Sequence, residues 1–221
     1  MGDTRIAGWS GLGGLALNVA AVWLLGDVPA PYRPDDLAAW HGGVTAHADA
    51  AVASAWCFTV GLALLVPWAR AWVHTAGGAG ARAGLVDLGG WLFAIGALLD
   101  AAGTPAVAAV ARFLPASDPA NAPAAHALLA LTLELDATFN AMLGVGLLLA
   151  ATGLGSSTPR GLRALLAVAG LASIPVGLQA ESGTFARLLA VSGPLWLAGG
   201  GWLAWRMTRA DIPRAEATST R

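Results

Sequence analysis

Residues 84–111 read GLVDLGGWLFAIGALLDAAGTPAVAAVA and carry only two charged side chains, Asp87 and Asp100. A proline-rich break, PASDPANAP at 115–123, follows, and AHALLALTLELDATFNAMLGVGLLLAATG then fills residues 125–153. A helix that crosses a bilayer needs roughly 20 mainly apolar residues, and proline with aspartate and asparagine marks turns. These residues therefore predict a transmembrane helical hairpin that turns within the break.

The composition of the whole chain also favours a membrane protein. Hydrophobic residues make up 57% of the 221 residues and charged residues 11%, and the mean hydropathy is +0.65. A soluble domain carries about 25% charged residues and cannot bury this much apolar surface. The chain has a net charge of −1, no lysine and a single cysteine, Cys57. These features exclude an electrostatic nucleic-acid binder, a Schiff-base cofactor such as retinal and a cysteine-based metal centre. We expect the lipid bilayer as partner, no nucleic acid and no cofactor.

The fold class that we predict is all-α, a polytopic transmembrane helical bundle with six spans. The spans lie near 7–26, 50–72, 84–111, 125–153, 162–179 and 186–207. They form one transmembrane domain, residues 1–207, which a polar cytoplasmic tail, 208–221, follows. The fifth window is the shortest of the six and contains Pro175.

Arginine lies mainly on one side of these predicted spans. Nine of the twelve arginines fall on that side: Arg5, Arg70, Arg82, Arg160, Arg163, Arg206, Arg209, Arg214 and Arg221. Basic residues concentrate on the cytoplasmic side of membrane proteins. We therefore predict that both termini are cytoplasmic and that the protein lies in a bacterial cytoplasmic (inner) membrane.

Nine of the ten tryptophans fall near the ends of predicted spans, which is typical of the aromatic belt at a membrane surface. They are Trp9, Trp68, Trp72, Trp91, Trp202 and Trp205 towards the cytoplasm and Trp23, Trp40 and Trp56 towards the outside. Trp196 lies deeper, beside Pro194. Of all ten, we expect Trp196 and Trp56 to be the most suited to line a cavity.

Three acids, Asp100, Glu134 and Asp136, fall deep inside spans, where a charged group costs at least about 2.5–3.5 kcal/mol. Asp100 lies eighteen residues before Asp118 and Asp136 lies eighteen after it, so a hairpin that turns there places both at similar depth. Glu134 is two residues from Asp136, roughly 200° around the helix, and faces a different neighbour. Asp87, near a span end and near Arg82 and Arg160, is expected to form an interfacial ion pair.

Polar residues at helical spacing accompany the two aspartates. Thr132 and Asn140 lie four residues on either side of Asp136, and Thr104 lies four residues after Asp100. No basic side chain lies at mid-depth in any window, so the acids must be protonated, hydrated or bound to a cation. The candidate binding residues are Asp100, Asp136, Asn140, Thr104, Thr132, Asn18 and Trp196. The alternative is structural, with protonated acids and amides that hydrogen-bond between helices.

Three histidines and one aspartate, His41, His47, His126 and Asp49, are expected on the external side. Imidazole and carboxylate are ligands of zinc and copper. Two glycines, Gly42 and Gly43, separate the first two histidines, so no regular face brings them together. We interpret these residues as solvated loop positions and predict no metal site.

The chain resembles a broad family of small six-span bacterial integral membrane proteins, which is defined by a domain of unknown function. Three motifs carry the resemblance: Arg5-Ile6-Ala7-Gly8 before the first span, LELDATFNAMLGVGLLL at 133–149, and Pro159-Arg160-Gly161 before the fifth. The resemblance covers nearly the whole chain and implies the six-span topology. It implies no activity.

Three functions are compatible with these observations. The first is the binding or transport of a small hydrophobic or cationic solute, coupled to protons, at the carboxylate site. The second is an intramembrane enzyme that acts on a lipid or isoprenoid by general acid catalysis through Asp100, Asp136 or Glu134. The third is a structural subunit that forms a homo-oligomer or joins another membrane protein.

Overall fold

The described part of the chain is almost entirely helical. The computed structural model describes residues 2–26, 28, 36–75, 81–178 and 185–209, and no β-strand occurs among them. The helices are α1 (Gly2–Leu25), α2 (Leu37–Ala46), α3 (Ala48–Arg70), α4 (Ala81–Phe113), α5 (Ala122–Gly153), α6 (Arg160–Leu178) and α7 (Phe185–Thr208). The predicted all-α helical bundle is thus confirmed. Beyond Arg209, the predicted tail lies outside the described residues.

Within the described residues, five helices are long and apolar enough to cross a membrane. They cover Asp3–Leu25, Ala48–Arg70, Arg82–Phe113, Pro119–Gly153 and Arg160–Leu178, and they coincide with the first five predicted windows. The sixth window coincides with α7, which has 24 residues but is not among these five.

The six long helices close into a ring. Each packs against the next in the order α1, α3, α4, α5, α6 and α7, and α7 returns to pack against α1. The guanidinium of Arg5 in α1 donates a hydrogen bond to the carbonyl oxygen of Thr208 in α7, 3.1 Å away. The first and last helices therefore meet at the end of the bundle that carries Arg5, Arg70 and Arg206, which we call the arginine-rich end.

Glycines allow neighbouring helices of the ring to approach closely. A Cβ atom added to Gly89 of α4 would lie 2.5 Å from the carbonyl oxygen of Gly146 in α5. Likewise, one added to Gly170 of α6 would lie 2.7 Å from the carbonyl oxygen of Gly144. Small residues at such contacts are typical of membrane helix pairs, which gain stability from close packing and not from the hydrophobic effect.

An aromatic cluster fills the interior towards the arginine-rich end. Its members come from different elements: Trp68 of α3, Trp72 of the following 3₁₀ helix, Phe93 of α4, Phe139 of α5 and Trp196 of α7. The ring of Phe93 lies 5.1–6.3 Å from the other four, measured between centroids. The interpretation of Trp68 and Trp72 as belt residues is wrong, because both side chains are fully buried.

The helix α2 packs against α3, α4 and α5. Its buried side chains include Trp40 and His41, so the assignment of Trp40 to the belt and of His41 to a solvated loop is also wrong. The other belt tryptophans, Trp9, Trp23, Trp56, Trp91, Trp202 and Trp205, are all exposed. Six of the nine predicted belt tryptophans therefore have the exposed side chains that a belt requires.

Candidate functional site

The packing of α4 against α5 places Asp100 and Asp136 at the same level. A Cβ atom on Gly96 would contact Phe139 and Met142, and one on Gly103 would contact Leu135 and the backbone of Thr132. Asp100 lies midway between the two glycines, and the facing part of α5 is the turn around Asp136. The two aspartates therefore lie on neighbouring helices, at one level of the α4–α5 contact.

Asp100 is a buried acid, with 6% of its surface exposed. Among the described residues its carboxyl group has neither a hydrogen-bond partner nor an ion-pair partner. One turn further along α4, the hydroxyl of Thr104 lies 2.7 Å from that of Thr59 in α3. This pair of hydroxyls adds a polar contact from a third helix near the acid.

Asp136 is half-buried and has one amide partner, Asn140. The side-chain nitrogen of Asn140 donates to the carboxyl oxygen of Asp136 at 3.2 Å and to its backbone oxygen at 2.9 Å. An amide N–H that donates to a carboxylate oxygen stabilises the carboxylate, but it carries no charge that could neutralise it. Asp136 is therefore oriented by Asn140 and not neutralised by it.

Two predicted binding residues lie in helix contacts. The hydroxyl of Thr132 donates to the carbonyl oxygen of Gly103, 3.2 Å away, so this threonine joins α5 to α4. Asn18 lies at the contact of α1 with α3, where a Cβ atom on Gly61 would lie 3.3 Å from its side-chain carbon. The structure thus groups Asn18 with α3 and not with the α4–α5 carboxyl pair.

Glu134 lies apart from the pair on α5. Its side chain is exposed, as is that of Thr138, one turn away, whose hydroxyl donates to the Glu134 carbonyl oxygen. This orientation agrees with the angle of roughly 200° between positions 134 and 136. Glu134 and Asp136 therefore belong to different surfaces.

The aromatic cluster begins within a turn of the acids. Phe139 follows Asp136 by three residues, and its ring lies 5.8 Å from that of Phe93. Trp196, a predicted cavity-lining residue, lies 6.3 Å from Phe93, whereas Trp56 is 53% exposed. Sequence reasoning missed Thr59, Phe93 and Phe139, although an aromatic residue one turn from a buried acid is a signal that could have indicated Phe139.

The predicted histidines separate into two groups. His41 and His126 meet edge to face, with ring centroids 5.6 Å apart, and His41 Nε2 lies 2.7 Å from the carbonyl oxygen of Leu114. His47 and Asp49 are exposed. No group of three or more possible ligands that could hold a metal is present in the described ranges.

Asp87 forms an ion pair, as expected, but its partner is Arg70 and not Arg82 or Arg160. The Arg70 guanidinium lies 3.0 Å from its carboxyl oxygen and 3.7 Å from the ring centre of Trp91. Both charged side chains are partly exposed, so the pair contributes little to stability. Asp87 is therefore an anchor at the arginine-rich end and not part of the buried acid pair.

Comparison of the chain with the models of known protein families, with curated proteins and with solved structures gives no match. The family resemblance stays a prediction.

Proposed function

We propose that this chain is an integral membrane protein that binds a small cationic solute at Asp100 and Asp136 and transports it. The observation that carries the proposal is the burial of Asp100 without a hydrogen-bond or ion-pair partner in the described part of the chain. A buried carboxylate is costly unless a cation or a proton compensates it. A site that binds the cationic solute and a proton in alternation couples the transport of the solute to the movement of protons.

The surroundings of the pair favour an organic cation. The carboxyl groups of Asp100 and Asp136 supply negative charge, and Phe139 begins an aromatic cluster one turn away. Aromatic faces attract cations, most strongly where water is excluded. Acids next to aromatic rings are thus suited to a lipophilic cation of modest size.

We further propose that all six long helices cross a bacterial inner membrane and that both termini are cytoplasmic. The place of α7 in the ring, between α6 and α1, supports the sixth span. Arg5, Arg70, Arg206 and Arg209 lie at one end of the helices, and basic residues favour the cytoplasmic side.

Binding of tetraphenylphosphonium to the purified protein tests the solute site. We expect Asp100→Asn and Asp136→Asn each to weaken binding at least about tenfold, because each removes a charge from a water-poor site. Glu134→Gln is the matched control, since it removes a carboxylate from the exposed face of α5 and should leave binding unchanged. Equal binding by Asp100→Asn, Asp136→Asn and the wild type would refute the proposal.

The second candidate is an intramembrane enzyme that acts on an isoprenoid or other lipid. The aromatic cluster beside the acids favours it, because aromatic faces stabilise positive charge that develops when a carboxylic acid protonates a substrate. If the wild type binds no tetraphenylphosphonium but converts a lipid that the Asp136→Asn protein leaves intact, the enzyme is the correct assignment.

A further inference from the structure

A cavity of about 590 Å³ lies at the arginine-rich end, and neither Asp100 nor Asp136 is among its described lining residues. It lies between the start of α1, the 3₁₀ helix Trp72–Thr75, the loop between α5 and α6, and the end of α7. Its volume is in the range of small-molecule sites, roughly 300–1,000 Å³. Arg206, Arg209 and His74 are among its lining residues, against one described carboxylate, Asp3.

Arg206 has one donor group that the described residues leave without a partner. Its Nη2 atom donates to the carbonyl oxygen of Ser157, 3.3 Å away. Its Nη1 atom is buried and has no hydrogen-bond partner. Arg206 lines the cavity, and no described carboxylate forms an ion pair with it; a partly buried positive charge without a counter-charge favours a ligand with negatively charged oxygens.

A second guanidinium lines the same cavity. Arg209 stacks on the indole of Trp205, with 3.9 Å between its central carbon and the ring centre. Stacking uses the flat face of the guanidinium and leaves its N–H groups, which lie in the plane, able to donate. Two guanidinium groups that line one cavity, neither of them in an ion pair with a described carboxylate, are suited to bind phosphate oxygens.

The position of the cavity indicates where its ligand comes from. Trp9 and Trp202, both exposed, lie near the same end of the bundle, and exposed tryptophans mark the level of lipid headgroups. We propose that this cavity binds a phosphate group, that of an anionic lipid headgroup, through Arg206 and Arg209. The site is separate from Asp100 and Asp136 and does not depend on the cationic solute.

Lipid binding to the purified protein in detergent tests the proposal, with dioleoyl phosphatidylglycerol and dioleoyl phosphatidylcholine as probes and native mass spectrometry as readout. We expect phosphatidylglycerol to bind at least about tenfold more tightly, because its headgroup has no ammonium to offset the phosphate. Arg206→Gln and Arg209→Gln should each abolish most of this preference. Arg160→Gln is the matched control, since Arg160 is exposed at the same end and is not among the lining residues described.

The outcomes separate a built site from general attraction and a lipid from a free anion. Loss of the preference in Arg206→Gln or Arg209→Gln but not in Arg160→Gln supports the proposal. An equal, small loss in all three overturns it and indicates diffuse surface charge. If glycerol 3-phosphate or inorganic phosphate displaces phosphatidylglycerol at equal concentration, the cavity is a phosphate site. That result refutes the proposal that the phosphate group belongs to a lipid. If Arg206→Gln does not fold, the Arg209→Gln protein provides the test. Its folding should be less affected, because the Arg209 side chain makes no backbone hydrogen bond in the described part of the chain.

Discussion

Phe93 is the residue on which the aromatic cluster depends, because its ring contacts those of Trp68, Trp72, Phe139 and Trp196. We expect Phe93→Ala to lower the free energy of unfolding by about 3–5 kcal/mol, since it leaves a cavity among rings that come from other elements. Unfolding in detergent, followed by tryptophan fluorescence, measures the change. Leu98→Ala, on the exposed side of the same helix, should cost much less, and an equal loss in both variants would contradict a central role for Phe93.

Single residues show where sequence reasoning succeeds and where it ends. The common depth of Asp100 and Asp136 could be counted along the chain, because both lie eighteen residues from Asp118 and the helix rise is constant. The burial of Trp68 could not, because proximity to a span end does not define the rotation of α3 about its axis. That rotation follows from contacts such as Trp68 against Gly11 and Gly200.

The seam between α4 and α5 depends on glycine. We expect Gly89→Ala to separate the helices and to cost about 1–3 kcal/mol, because its new methyl group would lie 2.5 Å from the Gly146 carbonyl oxygen. Gly84→Ala is the control on the same helix, since a Cβ atom there meets nothing within 4 Å. The unfolding free energies of the two variants in detergent provide the measurement, and a Gly89→Ala protein as stable as Gly84→Ala would disprove close packing at this seam.

Long helices were the most predictable elements of the chain. The window 84–111 lies inside α4, Ala81–Phe113, and the window 125–153 lies inside α5, Ala122–Gly153, because an apolar run ends where charge and proline begin. The helix α2 was not predicted. It has ten residues, two of them adjacent glycines, and its stability comes from packing on α3, α4 and α5 and not from its local sequence.

The topology of the whole molecule can be tested by cysteine labelling of intact cells. In a Cys57→Ser background, we expect a membrane-impermeant maleimide to label Ala116→Cys and Ser182→Cys without lysis, because both positions would face outwards. Ser156→Cys and Thr218→Cys should react only after lysis. Positions 182 and 218 lie outside the described residues and test the crossings of α6 and α7. Labelling of positions 182 and 218 from the same side would rule out α7 as a span.

The contact of α1 with α7 also sets the order in which the molecule can be completed in the cell. Arg5 and Thr208 meet, yet a ribosome that adds about 5–20 residues per second needs on the order of 10–40 s to travel from the end of α1 to the end of α7. During that interval the surface of α1 around Gly8, which later contacts Ala204 and Thr208, has no native partner. Lipid or an insertion factor must cover it, so nascent chains halted before α7 are the species in which such a factor would be captured.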